Sequence, residues 1–137
     1  MQPADPDYPT AAAALKHLVK SGAVLCYTSQ NLAEFWNAST RPVSRNGYGL
    51  TPQEADRCAR QFESRLQLMA DSRALHEEWR KLIVQYEVSG VQVHDTRLVA
   101  AMRVHGVKRV LTFNTKDFTR FKGIVAVSPT EILQQNG

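Results

Sequence analysis

The chain has 137 residues, 43% hydrophobic and 22% charged, with a formal net charge of +4; this composition suits one ordinary globular domain large enough for a core. No apolar run nears the ~20 residues of a membrane span, and "MQPADPDYPT" lacks the charged-then-apolar start of a secretion signal. The two cysteines, Cys26 and Cys58, show no CxxC spacing, so neither a zinc site nor a disulfide framework is indicated and a reducing cytoplasm is the default.

In chain order, "TAAAALKHLVKSG" predicts a helix with Leu15, Leu18 and Val19 inward, stopped at Gly22. "AVLCY" is a short apolar run suited to a buried strand. "TSQNLAEFWNAS" returns to helical period, with Leu32, Phe35 and Trp36 on one face and Gln30, Glu34 and Asn37 on the other. "TRPVSRNGYG" is a loop broken by Pro42, Asn46-Gly47 and Gly49. "TPQE" then opens a helix expected to run from 51 to about 70, with Thr51 as cap, Pro52 first and Glu54 reaching back. Its inward stripe is Ala55, Cys58, Ala59, Phe62, Leu66 and Met69. A second long helix, 73 to about 88, carries Leu75, Trp79, Leu82, Ile83 and Tyr86 inward.

Next, "VQVHDTRLVAAMRVHG" predicts a helix opened by Asp95 and closed by Gly106. Asp95 heads the stripe of Leu98, Val99 and Met102, so a carboxylate stands on the face that should be buried. The plain explanation is an N-cap, because Asp accepts hydrogen bonds from the first free N–H groups of a helix. "RVLTF" is the second clear buried strand, followed by "NTKDF", a third strand-like run "GIVAV" and a short helix after Pro129. Helices alternating with short apolar strands define an α/β class, a parallel sheet flanked by helices. Ligands in such sheets collect at the carboxyl ends of strands, which singles out Glu34 after "AVLCY" and Asp117 after "RVLTF".

The histidines His17, His76, His94 and His105 lack HExxH spacing, and GxGxxG and GxxxxGK[ST] are absent. Zinc catalysis and nucleotide-fold chemistry are therefore disfavoured. The basic balance suits an anionic partner such as nucleic acid, a signal that many proteins binding none also carry. Arg41, Arg45, Arg97, Lys116 and Arg120 stand in or near the candidate segments, where they suit RNA phosphates, although for any single one plain solvation is at least as good a reading. Trp36, Phe62, Trp79 and Tyr86 share stripes with Leu and Ile, which favours core or dimer contact over base stacking.

"SQNLAEFWN", then "HDTRLVAAM", then "HGVKRVLTFNTKDFTRF", together resemble the PIN-domain family, in particular its bacterial VapC-type toxins. The resemblance spans nearly the whole of residues 1–137 as a single domain and implies a three-layer fold, a parallel β-sheet flanked by helices. It implies a magnesium- or manganese-dependent ribonuclease of a type II toxin–antitoxin system, with Glu34, Asp95 and Asp117 as catalytic and metal-binding carboxylates. Hard divalent cations take such oxygen ligands. In the "TxNxxDF" segment Thr112 and Asn114 would orient ligands or waters, while Arg97, Lys116 and Arg120 would contact RNA. The implied partners are an RNA substrate, an antitoxin protein and a second copy of the chain; a membrane is not among them. One departure stands out. Family members of this kind begin with a strand ending in aspartate, often "DTN", whereas "QPADPDYPTAAAAL" resembles the loop and helix that follow it. Asp5 and Asp7, in a proline-broken loop, are poor substitutes. The resemblance therefore also admits a catalytically impaired PIN-like module that binds RNA or protein.

Overall fold

Capping chemistry sets where most of the helices begin in the computed structural model, which describes residues 8–135. Asp5 and Asp7 lie outside the described residues. The described chain is mixed α/β, and it falls into two compact units, one ending at Leu68 and the other starting at Met69.

In the first unit, α1 (Tyr8–Lys20) ends ahead of Gly22, whose φ of +83° is the left-handed conformation a helix terminator needs. A three-residue strand, β1 (Cys26–Thr28), leads directly into α2 (Ser29–Thr40). Thr28 caps α2 reciprocally with Asn31: its hydroxyl accepts from the Asn31 N–H at 3.1 Å, and its own N–H donates to Asn31 Oδ1 at 2.9 Å. The loop after α2 is closely pinned. Tyr48 and Leu50 donate backbone N–H groups to the carbonyls of Ala38 and Ser39, and Gly49 donates to Arg41 at 2.8 Å. A Cβ at Gly47 would collide with the Arg41 backbone carbonyl, so only glycine fits that return. The predicted capping box appears as expected in α3 (Pro52–Glu63), with Thr51 Oγ1 accepting from Glu54 and Glu54 Oε1 accepting from Thr51. Ala55 and Ala59 are fully buried along it, and Phe35 meets Phe62 edge-on at 5.1 Å.

The expected helix from 51 to about 70 is corrected: α3 stops at Glu63. Arg65 and Leu66 both donate to the Phe62 carbonyl, closing the last turn, and the Gln67 N–H then pairs with the Leu25 carbonyl at 2.8 Å. Residues Gln67–Met69 thus become strand β2, partner of β1, and Leu66 and Met69 leave the helical stripe. A backbone partner outweighed a helical pattern that was locally acceptable.

In the second unit, Ser72 caps α4 (Arg73–Gln85) through a 3.1 Å bond from the Leu75 N–H. The helix packs lengthwise on α5 (Gln92–His105), and Leu75, Leu82, Val99 and Met102 make the core between them, each 1% exposed or less. Gly106, at φ +72°, ends α5. Beyond it β3 (Arg109–Leu111) pairs in parallel with β4 (Val125–Val127), Val110 opposite Ala126, and α6 (Pro129–Gln134) follows a Ser128 cap. The described strands therefore form two separate pairs, β1 with β2 and β3 with β4.

Candidate functional site

Asp117 owes its position to a short chain of backbone bonds at the carboxyl end of β3. The Thr112 N–H donates to Val127 at 2.9 Å, extending the parallel pair by one rung. The Thr112 hydroxyl then accepts from the Asn114 N–H at 3.0 Å, turning the chain out of the strand direction. A 3-10 turn over Thr115–Phe118 follows, in which the Asp117 N–H donates to the Asn114 carbonyl at 3.1 Å. Phe118, 4% exposed, anchors the turn. Asp117 is half-buried, and Asn114 is exposed at the cap position, where its side chain makes no capping bond. Asp117 is thus the third residue of the turn rather than its cap.

Asp95 differs from expectation in its local setting. α5 begins three residues earlier, at Gln92, with Val91 at the cap position, so Asp95 neither opens nor caps the helix. It sits half-buried within the first turn. The backbone around it is fixed from two sides. Trp79 Nε1 donates to the Val93 carbonyl at 2.9 Å, and the fully buried Thr96 donates its hydroxyl to Gln92 at 2.8 Å. One residue further, Arg97 pairs with Asp71 at 3.1 Å. A carboxylate near a helix start also meets the positive end of the helix dipole.

The 3-10 turn carrying Asp117 packs against both β4 and α5, so Asp95 and Asp117 stand on neighbouring elements of one unit. Glu34 belongs to the first unit. It is exposed on α2 and accepts from Gln30 Nε2 at 3.3 Å. Within each unit, among the described residues, no three His, Cys, Asp or Glu side chains form a group able to hold a metal ion. Magnesium keeps several waters and takes one or two carboxylates alongside substrate phosphate, so a carboxylate from either element is by type a suitable ligand.

The candidate RNA contacts separate into two kinds. Lys116 is exposed. Arg97 and Arg120 have internal duties: Arg97 holds Asp71, and Arg120 donates to the Tyr86 carbonyl at 3.3 Å while lying 5.8 Å from the Phe121 ring centre. Arg41 likewise closes its own loop through Asn46 at 3.0 Å. His94 is exposed beside Asp95. Sequence reasoning missed Trp79 and Thr96 as the residues that hold the start of α5, because an apolar stripe gives no sign that one of its members also donates a hydrogen bond.

No protein-family model matches this chain, and no curated protein is significantly similar to it.

Proposed function

We propose that this chain is a PIN-like endoribonuclease that uses magnesium or manganese and acts as the toxin of a type II toxin–antitoxin pair. The observation that carries the reading is the placement of half-buried Asp95 and Asp117 on two elements that pack together, the latter just past the carboxyl end of a parallel strand, where α/β folds collect ligands. Glu34, exposed on α2, enters through its position after β1 and the family resemblance. A bound ion of this kind would polarise a phosphoryl oxygen and acidify water. Asp95 and Asp117 would supply its protein oxygens. Thr112 shapes the turn that carries Asp117, leaving the Asn114 amide for a water or a substrate oxygen, and Lys116 would meet the RNA backbone.

The same reading implies a homodimer restrained by an antitoxin, working in the cytoplasm. No described helix is long and apolar enough to cross a membrane. The test is cleavage of single-stranded RNA with magnesium, with manganese and with chelator. Metal-dependent products bearing 3′-hydroxyl and 5′-phosphate ends are expected, and Asp95→Asn and Asp117→Asn should each abolish them. A folded protein that leaves a broad RNA panel intact with either metal would overturn the enzyme reading. RNA binding without cleavage would put the impaired binding module in its place.

A further inference from the structure

The two tryptophans of this chain are used differently. Trp79 spends its indole N–H internally, on the Val93 carbonyl. The Trp36 N–H has no protein acceptor among the described residues, and the half-buried ring lines an open cleft of about 450 Å³ between α2 and α3. Pro52, Gln53, Asp56, Arg57 and Arg60 complete the lining. Asp56 is engaged by Arg60 at 3.0 Å, an exposed pair that still leaves most of the guanidinium's donors free, with the Arg60 side chain 78% accessible. Arg57 is exposed and lies within electrostatic reach of Glu54. The cleft therefore presents one aromatic ring, an unused indole donor and two guanidinium groups, one of them shared with Asp56, for a net charge of one positive.

A ligand suited to these walls needs a flat apolar face for the indole and an acceptor-rich anionic group for the arginines. We propose that the cleft is a nucleotide subsite for single-stranded RNA, with one base stacked on Trp36 and its flanking phosphates on Arg57 and Arg60. Bases stack on aromatic side chains regardless of sequence, and guanidinium groups match phosphate geometry with paired donors. Aspartate and glutamate side chains offer acceptors but no aromatic face, whereas each nucleotide joins a planar base to a phosphate, which favours RNA. The choice of RNA rests on the ribonuclease reading, while the site itself is built from residues of the first unit and uses neither Asp95 nor Asp117.

The test separates the two ideas by running without divalent cation, so that no cleavage is needed. The full chain, labelled with nitrogen-15, is titrated with a six-nucleotide single-stranded RNA in chelator while both indole N–H signals are followed. The Trp36 signal should shift and the Trp79 signal should stay. An Arg57→Gln, Arg60→Gln double variant, altered only at exposed side chains, should flatten the dependence of log affinity on log salt by about 1.4, two phosphates at roughly 0.7 each. Trp36→Leu should weaken binding about fivefold to a hundredfold. A static Trp36 signal would overturn the proposal, as would an unchanged salt slope in the double variant. An equal shift with hexaglutamate would also overturn it and assign the cleft to an acidic protein segment. A Trp36 shift in a chain that never cleaves RNA would leave this subsite standing and remove the nuclease alone.

Discussion

Replacing Asp95 with asparagine separates a structural carboxylate from a metal ligand, because the metal-free Tm and the manganese-dependent rise are read independently. Asparagine keeps the shape and removes the charge. Asp95 is not the N-cap, so no capping bond to the helix start is lost. Its place in the first turn is worth about 0.3–1 kcal/mol through the helix dipole, in addition to a further interaction that Asp95 makes. For a chain of this length, 1 kcal/mol moves Tm by roughly 3–5 °C, so the dipole share alone lowers the Tm of Asp95→Asn by a few degrees without metal. With manganese at about a hundred times its Kd, the native protein should gain about 2.7 kcal/mol, or near 10 °C. If the substitution weakens affinity a hundredfold, the same manganese concentration leaves about 0.4 kcal/mol, a rise of a degree or two. Differential scanning fluorimetry on both proteins, with manganese and with chelator, reads all four values. An undiminished manganese-dependent rise in Asp95→Asn would refute the assignment of Asp95 as a metal ligand. So would the absence of any rise in the unaltered protein.

Three further outcomes follow from packing and local chemistry. Leu82→Ala, at a wholly buried position on α4, should cost about 2–5 kcal/mol and lower the urea midpoint with little change in slope. Gly47→Ala, which drives a methyl group into the Arg41 carbonyl, should destabilise by about 1–3 kcal/mol and lower Tm, whereas an unchanged Tm would mean the loop relaxes freely. The Thr51 N–H and hydroxyl hold the Glu54 carboxylate below its ordinary pKa. A carboxylate depressed in the folded state stabilises above its unfolded pKa, so this contribution is complete at neutral pH and is lost as pH falls through the carboxylate range. An NMR titration should find Glu54 below 4.5, and Thr51→Ala should bring it back towards that value.

The features legible in the sequence were those decided by a few adjacent residues. Thr51, Pro52 and Glu54 announced the start of α3, and Gly22 and Gly106 marked helix ends, because capping bonds and left-handed φ values are settled within one turn of chain. "RVLTF" and "GIVAV" announced the strands β3 and β4 by their short length between breakers, but not their exposure: Arg109 and Phe113 are exposed where "RVLTF" was expected to be buried, and Val125 is exposed in β4. Tertiary contact decided the rest. Residues 64–69 carried a respectable helical stripe, yet the Leu25 carbonyl gave the Gln67 N–H a partner and the segment became a strand. Asp95 looked like the opening of its helix, but α5 gained three residues at its start, where Trp79, fourteen positions earlier, bonds the Val93 carbonyl. Trp36 and Trp79 both sat on apolar stripes. Only the packing distinguished them, giving one indole an internal acceptor and leaving the other beside two arginines at an open cleft. Hydrophobic periodicity reports which face of a helix turns inward. It carries no information about which distant backbone group will meet that face, and that meeting is what assigns each side chain its work.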